Sequence, residues 1–413
     1  MTRATADKPI ELEDARRLVL EHVSPLGTES VPLREALGRI LADGVESVDP
    51  VPGFENSSMD GFAVRAADTS GASPESPATL LVVDESRAGR PASSALRAGQ
   101  AIGISTGAVI PEGADSVVRS EDASLRDGQV AIGVEVEPGN NVRHAGDDIE
   151  PGVTVLHRGA RLGAAELGVL ASVGVAEVAC FRRPRLGVLT TGDELLEPGE
   201  AARPGGVRNS NAYTIPPLAL SAGADVVAIE TVKDDPGLTR AAIERMLGGE
   251  IAVICGGVSV GEHDHVKAAL ALLDVEEVFW RVALKPGKPT WFGVGPAGTL
   301  VFGLPGNPVS AMVTFLLFAR PAIRVMSGAA DSADRVHAIL DQDLPKPPGR
   351  AHAVRCRLEL GDDGWHAWPT GDQDSHILTS MLGAEALAIV PTEADPPTAG
   401  DTVELELLHP VEV

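Results

Sequence analysis

The sequence predicts a multidomain α/β and β protein: one α/β domain with a mostly parallel sheet, joined to small all-β regions. Three observations lead there. From residue 185 to about 326, apolar runs of strand length alternate with helix-spaced stretches, the pattern of parallel strands with crossover helices. From 62 to 136, and again from about 335, short strand-like runs follow one another through turn clusters without an intervening helix. The 413 residues suffice for about two to four domains.

Residues 11–22 have helical spacing (Leu12, Ala15, Leu18, Val19) and stop at Ser24-Pro25. A second short helix is expected within 31–41, with Leu33, Leu37, Ile40 and Leu41 apolar. Residues 49–65 hold two prolines and two glycines, so most of the stretch is loop, either a surface turn or a binding loop rich in Asn56, Ser57, Ser58 and Asp60. Strands follow at 79–83, 100–104, 116–119 and 130–136, and Thr106-Gly107-Ala108 places polar groups at a strand end. The segment 138–149 is another polar loop, with Arg143 and His144 before Asp147 and Asp148; a site and a solvated turn both fit it. A helix over 163–173 closes at Gly174.

The α/β part begins with the strand 185–190, which ends in Thr191-Gly192-Asp193-Glu194. A helix over 211–222 stops at Gly223, and Asp235-Pro236 supplies the N-cap and first residue of the next helix. The run Ile251–Cys255 leads into Gly256-Gly257-Val258-Ser259-Val260-Gly261-Glu262-His263-Asp264, and 266–273 has helical spacing. Strand, glycine-rich turn and helix form an arrangement in which backbone N–H groups can meet an anion. The stretch matches neither GxGxxG nor GxxxxGK[ST]; a tight turn with a capping aspartate is the plainer reading of the same residues. After the strand 277–284 comes Lys285-Pro286-Gly287-Lys288. Pro305-Gly306-Asn307-Pro308 launches a helix with Asn307 as N-cap.

Composition narrows the function. The chain is 44 % hydrophobic and 23 % charged, and 34 basic against 59 acidic residues give a net charge of −25. That balance argues against nucleic acid or an anionic membrane as the main partner. An anionic small substrate remains compatible, because charge is screened beyond about 8 Å and nearby lysines decide. Cys180, Cys255 and Cys356 are far apart and set in apolar runs, which suits buried thiols in a reducing cytoplasm. The first residues lack the apolar core of a signal peptide. The longest apolar run is too short to cross a bilayer, so a soluble protein is expected.

The loops at 191–194, 256–264, 285–288 and 305–308 all follow strands of the α/β region. In an open parallel sheet such loops share the carboxyl edge, where ligands bind. Together they offer Glu194 and Asp264 as acids, Lys285 and Lys288 as fixed cations, and a helix start. That inventory suits a phosphate ester or anhydride with Mg²⁺. Ser259 lies in the glycine stretch without a nucleophile-elbow pattern, and His263 and His265 are spaced so that they point apart on a helix.

The ordered set of Ser58-Met59-Asp60-Gly61, Thr106-Gly107-Ala108, Thr191-Gly192-Asp193-Glu194-Leu195, residues 256–264, Lys285-Pro286-Gly287-Lys288-Pro289, Leu304-Pro305-Gly306-Asn307-Pro308 and Ser375-His376 resembles the molybdopterin molybdenumtransferase family. That family includes the bacterial MoeA proteins and the C-terminal domain of gephyrin, and the resemblance spans nearly the whole chain. It implies a helical and extended linker domain (9–50 with 138–182), a small β domain (51–137), a MoaB/Mog-like α/β domain (183–328) and a C-terminal β-barrel (335–413). It also implies a cytoplasmic homodimer, with a molybdopterin adenylyltransferase as a candidate contact, that inserts molybdate into adenylylated molybdopterin with Mg²⁺-dependent loss of AMP.

By the same resemblance, Glu194 and Asp264 serve Mg²⁺ and pyrophosphate, and Lys285, Lys288, Arg355 and Ser375 hold molybdate or phosphate. Gly256, Gly257, Ser259, Pro305 and Asn307 belong to the cofactor-binding loops, while Asp60, Thr106 and Asp148 approach from the β-domain side, on the partner subunit. Phe62 stands where the family usually has Tyr, and Arg357 rivals Arg355. Two other roles occur among relatives: nucleotide chemistry by a MoaB/Mog-like domain, which lacks the flanking motifs, and receptor scaffolding of the gephyrin type.

Overall fold

The structure is a computed structural model and describes residues 8–258, 265–330 and 335–409. The chain forms two compact units. One takes residues up to Glu29, Gly38–Ala42 and everything from Ala179; the other takes Ser30–Leu37 and Asp43–Val178.

The second unit is built on a six-stranded sheet of β1 (Gly61–Val64), β2 (Ala78–Ser86), β3 (Gln100–Ile104), β4 (Ser116–Arg119), β5 (Ala123–Arg126) and β6 (Gln129–Ile132), in the order β4-β1-β3-β2-β6-β5. Alternation splits its apolar side chains between two faces. Val64, Leu80, Ala101, Val118, Val130 and Ile132 form one cluster, and Ala63, Leu96, Ile102, Ile104, Ala108 and Val117 the other. Gly61 has to be glycine. A Cβ there would stand 1.9 Å from the Val118 carbonyl oxygen, inside the β1–β4 ladder. The helix expected over 163–173 is present as α2 (Ala164–Ser172), and Gly174 follows in the left-handed region at φ 80°.

The short helix expected within 31–41 shrinks to a single 3-10 turn. Those residues hold a strand end, a short 3-10 turn at Leu33–Glu35 and an extended bridge from Leu41 to Cys180. Gly38, at φ 74°, turns the chain out of any helix before Ile40 is reached.

The first unit opens with α1 (Leu12–Glu21), which buries Leu12, Ala15 and Val19. Its main sheet contains β7 (Arg185–Thr191), β8 (Asp225–Val232), β9 (Ile251–Cys255), β10 (Glu276–Trp280), β12 (Trp291–Val294) and β13 (Leu300–Leu304), ordered β8-β7-β9-β13-β12-β10. The first four run parallel; β12 and β10 are antiparallel additions. Every residue of β9 and β13 is buried, as continuous apolar runs covered on both faces should be.

One face carries α3 (Asn211–Ala222) and a long helix over Pro308–Met326, packing Ile215, Ala219, Val309, Phe315, Phe318 and Ile323 on Val188, Phe292 and Phe302. The other carries α4 (Pro236–Met246) and α5 (His265–Leu272), packing Ala242, Ile243, Val266 and Leu270 on Leu189, Ile254 and Trp291. Each fully buried Leu, Ile or Phe contributes about 1.5–3 kcal/mol over its exposed state, so these layers hold the sheet edge rigidly. The 308–326 helix has the length and apolarity of a membrane span, yet 78 % of it is buried in this core.

The C-terminal strands β14 (Arg335–Leu340), β15 (Ala351–Gly361), β16 (Gly364–Pro369), β17 (Ala386–Val390) and β18 (Thr402–Leu407) run in the order β15-β16-β14-β18-β17 and close through β15–β17 into a barrel. A two-residue strand, β11 (Leu284–Lys285), adds to β15, with Lys285 opposite His352. The loop between β10 and β12 is thereby tied to the barrel wall. Cys180, Cys255 and Cys356 are free and buried, and burial pushes the Cys255 and Cys356 thiols up to about 12.

Candidate functional site

Three loops of the parallel sheet meet at its carboxyl edge. Gly256 and Gly257 follow β9 with φ of 92° and 65°, in the left-handed region. They are also packed too tightly for side chains: a Cβ on Gly256 would lie 3.0 Å from the Thr191 oxygen, and one on Gly257 would lie 2.4 Å from Val266 Cγ2. The Gly256 N–H donates to the Leu304 carbonyl at 3.0 Å, and the Gly306 Cβ position is 3.9 Å from Gly256 Cα. Thr191, Gly256 and Gly306 are therefore neighbours. Ser259 and Asp264 lie outside the described residues.

Glu194 is exposed, and its carboxylate folds back over Gly192, within 2.4 Å of where a Cβ would stand. This loop has an organiser that the sequence did not advertise. Asp234, just beyond β8, accepts from the Thr191 hydroxyl at 3.0 Å and from the Asp193 N–H at 3.4 Å. In the sequence it looks like a neighbour of the helix cap, and Asp235 is indeed that cap, accepting from Leu238 N–H at 2.8 Å. Among the described residues no group of three or more His, Cys, Asp or Glu side chains converges to hold a metal. The donors at this loop are hard carboxylate oxygens, the type Mg²⁺ takes one or two at a time alongside substrate phosphate.

The lysine loop comes next. Lys285 is one-third exposed and stands 3.6 Å from Asp374, while Lys288 is exposed and its carbonyl accepts from Val282 N–H. Gly287 packs against the long helix; a Cβ there would meet Thr314 Cγ2 at 2.4 Å. Asn307 occupies the position before Pro308, with extended backbone, but does not cap the helix with its side chain. Its amide donates instead to Ser375 Oγ at 3.0 Å. The amide of Asn211, at the start of α3, donates to the Gly306 carbonyl at 2.9 Å. Pro305 opens this turn directly after β13.

Arg355 is fully buried in β15 and is spent on the loop that carries Asp374 and Ser375. Its Nε and Nη2 donate to Ser380 Oγ at 3.1 and 2.9 Å, Nη1 to the Gln373 carbonyl at 3.2 Å, and Nη2 to the Asp372 carbonyl at 3.1 Å. Desolvation pulls its pKa down to about 10, against the opposing pull of Asp372 and Asp374. Arg355 therefore shapes the site through the Asp372–Ser375 turn. Arg357 lies with its guanidinium 4.8 Å from the Trp368 ring.

In the second unit, Asp60 and Thr106 are direct partners: Asp60 Oδ1 accepts from the Thr106 N–H at 2.7 Å and from its hydroxyl at 3.2 Å. Asp148 is placed by its own N–H, which donates to the Val51 carbonyl. Nearby in sequence, His144 Nδ1 meets Glu55 Oε1 at 2.9 Å, and that contact raises the imidazole pKa.

Residues 10–174 match the model of the MoeA N-terminal region (domain I and II), 187–325 that of a probable molybdopterin binding domain, and 337–408 that of the MoeA C-terminal region (domain IV). The chain is 36 % identical over 404 residues to the molybdopterin molybdenumtransferase of Haemophilus influenzae, covering 96 % of this chain and 98 % of that one. It is 35 % identical over 408 residues to the Bacillus subtilis protein of the same name, covering 97 % and 94 %. The crystal structure of a molybdopterin biosynthesis MoeA protein from Pyrococcus horikoshii superposes with a TM-score of 0.80 at 32 % identity, covering 98 % of this chain and all of that one.

Proposed function

This chain belongs to the molybdopterin molybdenumtransferase family, and on that premise we propose that it is a transferase of molybdenum cofactor biosynthesis, inserting molybdate into adenylylated molybdopterin with loss of AMP. One observation carries the reading. The turn at 256–257, the turn at 305–307 and the lysine loop are all held at one end of the sheet, and Ser375 is hydrogen-bonded into that group through Asn307.

The chemistry of the residues supports the assignment. Molybdate is a tetrahedral dianion, which calls for ammonium and hydroxyl donors. Lys285, Lys288 and Ser375 supply those, with Arg355 acting beneath them by fixing the 372–375 turn. The backbone N–H groups around Gly256 and Gly257, with the start of the Pro308 helix, favour phosphate oxygens. Mg²⁺, held by Glu194 and Asp264, would neutralise charge on the departing AMP phosphate. Lys288 would hold the same oxygens without moving a proton, since its role is electrostatic.

The reading extends to a cytoplasmic homodimer in which the Asp60–Thr106 pair and Asp148 of a second copy complete the site, and to substrate received from a molybdopterin adenylyltransferase. Asp264→Asn and Lys288→Ala test the core of it. Both variants should fold and dimerise as the parent does and lose molybdate-dependent AMP release from adenylylated molybdopterin. Normal turnover in both overturns the assignment, and consumption of ATP with unadenylylated molybdopterin would point to adenylyl transfer instead.

A further inference from the structure

The last residue of β10, Trp280, belongs to none of the motifs, yet it touches both elements that frame the anion site. Its indole Nε1 donates to the Val258 carbonyl at 3.1 Å, at the end of the glycine turn. Lys267, in the first turn of α5, places its ammonium over the indole ring, 2.9 Å from the centroid. The neighbouring Arg281 places its guanidinium carbon 4.0 Å from the same centroid. Trp280 therefore grips the chain on both sides of the glycine-rich stretch, at Val258 and at Lys267.

Its other attachment is to the lysine loop. Trp280 pairs with Trp291 across β10 and β12. Immediately after it, Arg281 sits at φ 69°, a left-handed value that a side chain rarely adopts. That turn is held by Arg281 N–H to the Thr290 carbonyl at 2.9 Å and Val282 N–H to the Lys288 carbonyl at 3.0 Å. The strained residue thus lies between the indole and the hairpin base that presents Lys285 and Lys288. An indole is the strongest aromatic partner for a cation, and two basic side chains held on one ring lose the freedom to collapse onto nearby acids.

We infer that Trp280 is a positioning residue of the anion site, fixing the glycine turn, Lys267 and the lysine loop in one register so that their donors converge on the substrate's phosphate. This rests on the proposed reading of the sheet edge as a site for a phosphate-bearing substrate. It assigns Trp280 no contact with the reacting atoms.

The test compares Trp280→Leu, which removes both the N–H and the ring face, with Trp280→Phe, which keeps a ring but no donor. Two quantities are measured: the KM and kcat of AMP release from adenylylated molybdopterin, and binding of inorganic pyrophosphate with Mg²⁺ by calorimetry. We expect Trp280→Leu to raise KM and weaken pyrophosphate binding by about tenfold, with Trp280→Phe intermediate at about threefold, and kcat changed much less. A melting temperature lowered without change in either quantity would make Trp280 a packing residue and overturn the inference. So would unchanged values in Trp280→Phe should the leucine variant not fold. If the parent protein binds no pyrophosphate, the reading of the edge falls, and this inference with it; if the parent binds it and both variants match the parent, only the inference falls.

Discussion

Replacing Arg355 by methionine isolates what a buried cation does beside this site. The side chain is fully buried and makes four hydrogen bonds, to Ser380 Oγ twice and to the carbonyls of Asp372 and Gln373. Methionine fills much of the same volume but donates nothing. The Asp372 and Gln373 carbonyls and the Ser380 hydroxyl then lose their partner, at about 1–3 kcal/mol for each group left unsatisfied. Against this, the variant no longer buries a charge, which returns several kcal/mol of desolvation. Ser380 also keeps a bond to the Ile377 carbonyl, so its loss lies at the low end. We expect a net destabilisation of about 2–4 kcal/mol, read by urea unfolding at neutral pH. Turnover should show a raised KM for molybdate, because the turn carrying Asp374 and Ser375 loses its floor. Arg355→Lys, with three N–H groups for the same acceptors, should fall between the two. A loss below about 1 kcal/mol together with an unchanged molybdate KM would refute the assignment of Arg355 as the organiser of that turn.

Gly61→Ala should destabilise the second unit by about 3 kcal/mol or more, since its Cβ meets a strand carbonyl that cannot move without breaking the β1–β4 ladder; chemical denaturation checks this. Asp234→Ala removes both acceptors that hold Thr191 and Asp193, and should lower kcat/KM roughly tenfold while costing about 1 kcal/mol of stability. The His366 imidazole is gripped by Asp363 and Asp341, at 2.7 and 2.9 Å, and those contacts raise its pKa above 6.5. A raised folded pKa means that the contribution is complete below the unfolded value and fades as pH rises through the folded one. Stability should therefore decline as pH rises above 6.5, and His366→Gln should flatten that slope in melting curves. Asp363 is shifted the other way, chiefly by the His366 hydrogen bond, so the pair also weakens in acid as that carboxylate protonates.

The parts legible from sequence were those written in neighbouring residues. β9 and β13 announced themselves because a strand covered on both faces needs an unbroken apolar run, and Asp235-Pro236 opened α4 with the expected cap. What was not legible depended on partners far along the chain. The Arg355 cage closes on residues 17 to 25 positions away, and Asn307, which reads as a helix cap, gives its amide to Ser375, 68 positions on. Asp234 was hidden beside a genuine cap. The helix expected within 31–41 shrank to one 3-10 turn because apolar spacing says nothing of Gly38, whose left-handed turn ends it.

On the proposed function, an acidic chain has to place the cations that meet a dianion by short-range geometry, since a net charge of −25 offers no attraction at a distance. Two devices meet that need. The lysine loop is not a free hairpin: β11 adds to the barrel strand β15, setting Lys285 opposite His352, and Gly287 presses on the long core helix. The barrel turn that approaches it is braced by Arg355 and leads through Asp374 to Lys285 and through Ser375 to Asn307. The barrel is thus joined to the sheet edge both by backbone pairing and by polar side chains. Small shifts of the barrel would therefore move Lys285, Asp374 and Ser375 together, which is why substitutions at Arg355 should appear in the handling of molybdate although the side chain itself is sealed from solvent.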